Sequence, residues 1–177
     1  MPDANITKSA LAESMKKLMR TKDFSKISVV DICDGCGMNR KSFYYHFKDK
    51  YDLMNWVFYT DFVSLVVKKQ HKTGWDLIIS VCTLFYEDQT FYRTALRTEG
   101  QNSFTEYFHD SMIPIVGYVF GSDEDDDEDE DYQMFSNFFC DSFLSAVIFW
   151  LEDGCRWGPE EFVDKLKSMV RKIADAG

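Results

Sequence analysis

The residues best equipped for chemistry in this chain are concentrated between Ser28 and Lys50, in the stretch SVVDICDGCGMNRKSFYYHFKDK. Arg40, Lys41, Ser42, Tyr44, Tyr45 and His46 surround Phe43 and Phe47, which stand four apart. Four residues make about one helical turn, so the two phenylalanines share an inward face and the cations, hydroxyls and rings are left outward. Such a face is a poor plain surface and a good reader of the DNA major groove. Arginine spans guanine O6 and N7, serine and tyrosine hydroxyls bond phosphates, and a ring touches a thymine methyl. Lys48 and Lys50 come at the start of the next helix, where they are expected to approach phosphates and the helix N-terminus adds its own attraction. Ser28 and Asn39, at the two helix starts, complete the expected DNA-facing set.

Those side chains need short helices at fixed angles, and the sequence supplies the punctuation. Ser28 with Asp31 three residues on reads as a capping box. Gly37 ends that helix, and Asn39 caps a very short one from Arg40 to about His46. Ahead of them, Leu11, Met15, Leu18 and Met19 place a helix over about Thr7–Arg20, with Phe24 and Ile27 packing back. A fourth helix begins after Asp49. Further helices are expected at about Trp75–Asp88, Thr90–Arg97, Phe104–Phe120, Tyr132–Glu152 and Pro159–Ala174. Pro159 suits a first helical turn. No alternating run bounded by turn residues supports a sheet.

The segment Ser28–Lys50 closely resembles the DNA-binding segment of TetR-type regulators. Phe43-Tyr44-Tyr45-His46-Phe47 with Lys50 matches the family's aromatic-Tyr-x-His-Phe run and its lysine a few residues on, and the likeness covers about residues 5–55. Cys36 departs from it, in a turn position usually held by Ala. A narrower likeness, to the subgroup of dihydroxyacetone kinase regulators, rests on NRKSFYYHFKDKYDLMNWVF, on Gly100-Gln101-Asn102-Ser103-Phe104, and on Trp150-Leu151 ahead of Pro159-Glu160-Glu161-Phe162. The resemblance implies an all-α, TetR-like fold. Residues 1–50 would be a three-helix DNA-binding domain, and residues 51–177 a helical domain for an effector and for dimerisation. It further implies repression at a palindromic operator, relieved by a small ligand. In the subgroup, a kinase-like protein coactivator takes the ligand's place.

Charge and composition agree with that division. The chain of 177 residues carries a net charge of −10, but residues 1–50 hold ten Lys/Arg against six Asp/Glu, and the remainder ten against twenty-four. Only the first segment is suited to a polyanion. Five cysteines without a secreted-scaffold spacing read as reduced thiols, and the start MPDANITKSA lacks the apolar run of an export signal, so a cytoplasmic protein is expected. The longest strictly apolar stretch, Ala146–Leu151, is too short to span a bilayer. Nine consecutive acidic residues, 123–131, read as a solvated loop.

Other chemistry finds little support. Cys33 and Cys36 form a C-x-x-C pair, which leaves a thiol or metal sensor as an alternative, but no second cysteine pair stands at zinc spacing. No phosphate loop, nucleophile elbow or metal spacing of the three histidines is present, so neither an enzyme nor a cofactor is expected. Aromatic residues such as Trp56, Tyr59, Phe62, Phe85 and Tyr107 are candidates for an effector pocket. The last two long helices are apolar enough to form a homodimer seam, expected through Phe139, Phe143, Val147, Phe162, Leu166 and Val170.

Overall fold

The computed structural model describes residues 2–68, 71–98, 104–120 and 129–175. Among them the chain is helical with no strand: α1 (Pro2–Met19), a 3₁₀ turn (Phe24–Lys26), α2 (Val29–Gly35), α3 (Arg40–His46), α4 (Lys50–Lys68), α5 (Gly74–Glu87), α6 (Gln89–Leu96), α7 (Phe104–Phe120), α8 (Glu130–Glu152) and α9 (Pro159–Ala174). Most bounds fall within two residues of those expected, and α1 begins five residues earlier.

Two compact units divide the chain: residues 1–61 with 90–107, and residues 62–89 with 108–177. In the first unit Leu11, Met15 and Met19 of α1 are buried with Phe24, Ile27, Ile32, Phe43, Phe47, Leu53 and Met54. The buried Ser14 Oγ donates to the Ile32 carbonyl at 2.7 Å, and Gly35 lies so close to Ser14 that a Cβ there would collide with its hydroxyl. Together these set the tight crossing of α1 and α2. Helix α6 joins this unit through specific contacts. Tyr92 donates to Asp61 at 3.2 Å, and Lys16 approaches the same carboxylate at 3.6 Å and the Phe91 ring at 5.0 Å.

The second unit is built from the later part of α4, α5, the greater part of α7, α8 and α9. Gly74 opens α5 against the backbone of Val119, where an added Cβ would sit 2.6 Å from the Val119 Cα. The corner between α8 and α9 is closed by Trp150. Its ring stacks on Phe162 at 4.5 Å, and its indole N–H donates to the Trp157 carbonyl at 2.9 Å. Gly154 and Cys155 take left-handed backbone there, at φ 74° and 53°.

Helix α8 is the one element among the described residues long and apolar enough to cross a membrane. The short strictly apolar run had concealed this, because scattered polar residues interrupt an otherwise apolar helix. In the fold, Ser136, Cys140, Phe143, Leu144, Val147 and Trp150 of α8 are buried in the second unit. Of the acidic run, Asp129 caps α8, accepting from the Asp131 N–H at 3.0 Å, and Glu130 and Asp131 lie in its first turn. Negative charge is favourable at that end of a helix. The earlier acidic residues, like Gly100–Ser103, lie outside the described residues.

Candidate nucleic-acid interface

Helix α2 is opened by the capping box read from sequence. Ser28 Oγ accepts from the Asp31 N–H at 3.1 Å, and Asp31 accepts from the Ser28 N–H at 2.7 Å. These bonds, the backbone one first, then the Ser28 hydroxyl and Lys22, hold the Asp31 carboxyl down at about 2. Helix α2 ends in a Schellman turn: Met38 N–H reaches the Cys33 carbonyl at 2.9 Å and Gly37 N–H the Asp34 carbonyl at 3.3 Å. That turn needs left-handed backbone, which Gly37 adopts at φ 68°. Asn39 then caps α3 by accepting from the Ser42 N–H at 2.9 Å.

Helix α3 presents the expected two faces. Phe43 and Phe47 are buried, while Arg40, Lys41, Tyr44 and Tyr45 are exposed, Tyr45 at 82%. The Arg40 guanidinium lies 5.8 Å from the Tyr44 ring, and Tyr45 meets His46 edge-on at 4.9 Å. Both pairs limit side-chain freedom before any partner arrives, which lowers the entropy lost on binding. Lys48 is exposed beside them. Behind the helix, Phe47 packs on Trp56 at 5.7 Å, and the Lys8 ammonium lies 5.6 Å from the indole. Sequence reasoning missed Lys8, whose place beside α3 depends on a fold that spacing alone does not show.

Three members of the expected set have their polar atoms engaged within the protein. Ser28 and Asn39 serve as caps, and Ser42 Oγ donates to Asn39 at 3.2 Å. Lys50 is engaged too. Its ammonium donates to the carbonyls of Phe24 at 2.7 Å, Ile27 at 2.8 Å and Ser25 at 3.3 Å, and lies 4.5 Å from the Phe24 ring. Three donors on three acceptors leave none for a phosphate. Burial first of all lowers the pKa of this ammonium, with Asp49 opposing.

The expected effector residues are shared between the two units. Trp56, Tyr59 and Tyr107 belong to the first unit, and Phe62 and Phe85 to the second. Trp56 is committed to Phe47, and Phe85 is fully buried against Phe108 at 5.3 Å. Burial, then Tyr59, raises the pKa of the Tyr107 phenol. Phe62 alone of the five lines an open cleft of about 440 Å³ in the second unit, with Val66, His71, Leu77, Pro114 and Tyr118 among its walls. His71 Nε2 pairs with Ser80 Oγ at 3.1 Å, and the Tyr118 hydroxyl donates to the His71 carbonyl at 3.1 Å. Pro114 within α7 lacks the N–H that would bond the Asp110 carbonyl.

The residues of the expected seam lie mostly inside their own protomer. Phe143, Val147 and Phe162 are buried inside their own protomer, and Phe139, Leu166 and Val170 are partly so. The large apolar residues left in solvent are Met134, Phe135, Phe138 and Phe149 on α8, and Met169 and Ile173 on α9. Met134, Phe138, Asp141, Ser145 and Phe149 recur at four, three, four and four residues, the spacing of a helix–helix seam. That signal was legible, but an all-round apolar helix does not disclose which side its own domain takes.

Cys33 is buried and its pKa is raised, by burial above all, then by Cys36 and Asp34. A raised pKa means less thiolate and a less reactive sulfur. Cys36 donates weakly to the Ile32 carbonyl at 3.4 Å. Among the described residues no three His, Cys, Asp or Glu side chains are grouped to hold a metal.

Known proteins share both halves of this arrangement. Residues 12–57 match the model for bacterial regulatory proteins of the tetR family, and residues 75–172 match one for a transcriptional regulator C-terminal region of TetR type. Over 94 residues the chain is 30% identical to the HTH-type dhaKLM operon transcriptional activator DhaS of Lactococcus lactis, a match covering 52% of this chain and 50% of that one. The chain thus spans about half the length of this curated relative. Among solved structures, the dihydroxyacetone kinase operon activator DhaS superposes with a TM-score of 0.70 at 18% identity, covering 94% of this chain and 95% of that one. A TetR transcriptional regulator from Streptococcus agalactiae gives 0.70 at 21%, covering 96% of each. NalD of Pseudomonas aeruginosa, the secondary repressor of the MexAB-OprM multidrug efflux pump, gives 0.65 at 16%, covering 97% of each. At these identities the structures show a shared fold.

Proposed function

The chain belongs to the TetR family of bacterial regulatory proteins, and we propose that it is a cytoplasmic repressor that binds a palindromic operator as a homodimer. The observation that carries this reading is the face of α3. Arg40, Lys41, Tyr44 and Tyr45 stand in solvent on a helix whose Phe43 and Phe47 are sunk in the core. Arg40 and Tyr44 read base edges, while Lys41 and Lys48 contact phosphates. The dimer is supported by the exposed Met134, Phe138 and Phe149 on α8 and by Met169 and Ile173 in the last turns of α9, which are 58% and 71% exposed. Two such pairs of helices make a four-helix interface about a two-fold axis, and the axis calls for an inverted repeat.

The control signal is a small ligand in the cleft lined by Phe62, Leu77 and Pro114. The cleft's volume and mainly apolar walls fit such a molecule. A second reading, an activator, is favoured by the sequence match to the transcriptional activator DhaS; with a protein coactivator as its partner, the cleft would stay empty.

The test is selection of duplexes from a random pool by the full-length protein. An inverted repeat is expected, and Arg40→Ala should cost about 1–3 kcal/mol and relax the preference at one base pair per half-site. Selected sequences with no two-fold symmetry would remove the dimeric reader. A gel shift that tightens only when a second protein is added would move the reading to the activator.

A further inference from the structure

We infer that Lys50 is a positioning residue for DNA binding, fastening the turn before α2 to the first residue of α4. Its three acceptors, the carbonyls of Phe24, Ser25 and Ile27, all belong to the turn between α1 and α2, 23 to 26 residues away in sequence. They are neutral carbonyls and not a carboxylate, so the ammonium acts as a hub that gathers the turn to one point. The Phe24 ring at 4.5 Å and the Tyr51 ring at 5.8 Å cover it. Asp49 and Asp52 fix the place of the lysine itself. Asp49 Oδ1 accepts from the Tyr51 and Asp52 N–H groups at 2.8 and 2.9 Å, and Asp52 accepts from the Lys48 N–H at 2.9 Å.

The turn controls the reading element because it leads directly into it. Ile27 is joined to Ser28, the cap of α2, and α2 runs through Gly37 into α3. A carbonyl held at Ile27 therefore holds the entry angle of the whole reading element. Two neighbouring lysines thus do different work: Lys48 is exposed and able to meet phosphate, and Lys50 sets the geometry.

The inference rests on the DNA-binding reading above, so wild-type binding is measured first and separately. Affinity of the full-length protein for one fluorescent duplex, selected by the wild type, is measured across a range of salt for wild type, Lys48→Met and Lys50→Met. Lys48→Met should lower the slope of log K against log salt by about 0.9, the signature of one lost phosphate contact. Lys50→Met should keep the wild-type slope while binding about ten-fold more weakly at every salt, at a temperature where circular dichroism shows it folded. A slope lowered as in Lys48→Met, or an unchanged affinity, would overturn the inference.

Should Lys50→Met not fold, the wild type itself decides. The ¹⁵N-labelled Lys50 ammonium is expected to give a signal protected from exchange, and that signal should not shift when the duplex is added. An unprotected signal, or one that shifts with DNA, counts against the clamp. If the wild type binds no duplex, the DNA reading fails, and the ammonium signal judges the clamp alone.

Discussion

Phe138 offers a direct measure of the seam between two copies. Its side chain is 64% exposed on α8, between Met134 and Phe149 on the same stripe. A phenylalanine offers roughly 200 Å² to solvent, so about 130 Å² remains to be covered. At about 25 cal/mol per Å², covering it contributes roughly 3 kcal/mol per protomer, and about 6 kcal/mol in a two-fold dimer. Phe138→Glu removes this and adds two buried charges, so the association constant should fall by at least about 10⁴. Light scattering coupled to size exclusion reads the outcome. The wild type should elute at twice 20.7 kDa and the variant at 20.7 kDa, with an unchanged helical spectrum. Val147→Glu is the matched control. Val147 is fully buried in its own protomer, so that variant should unfold. A Phe138→Glu protein still at twice 20.7 kDa at micromolar concentration would refute the placement of the seam, and a monomeric wild type would refute the dimer.

Three further outcomes are expected. The Asp31 carboxyl is held at about 2, below its ordinary 3.8, so its contribution to stability is present above about 3.8 and lost as pH falls towards 2. Asp31→Asn should flatten the fall of Tm between pH 5 and pH 2, and parallel curves would show that the cap does not act through this charge. Gly37→Ala meets no atom within 4 Å but keeps a φ of 68°, so it should cost roughly 1–2 kcal/mol in denaturant melts, by strain alone. Replacing both Cys33 and Cys36 with Ala should leave DNA affinity within a few-fold of wild type, with reductant making no difference to either. A reductant effect lost in the double variant would revive the thiol sensor.

Local rules made the DNA-binding half readable. Ser28, Asp31, Gly37 and Asn39 act on neighbours three or four residues away, and all four do so in the structure. The rest depends on contacts that are distant in sequence. The ammonium of Lys50 has the same charge whether it faces a phosphate or three carbonyls, and only the approach of a turn more than twenty residues distant decides between them. Phe143, Val147 and Phe162 read as a seam because an all-round apolar helix does not reveal which face its own domain claims. Trp56 read as a pocket residue because its packing partner, Phe47, lies at the end of a different helix.

The contact between Phe47 and Trp56 has a consequence for observing this protein. Of the four tryptophans, Trp56 alone belongs to the first compact unit, while Trp75, Trp150 and Trp157 belong to the second. Its ring touches the residue that ends α3 and lies under the ammonium of Lys8. A protein with the other three tryptophans replaced by phenylalanine would carry a single tryptophan, at the back of the reading helix. Its emission would then register motion of α3 from within the chain, with no dye attached to the surface that meets DNA.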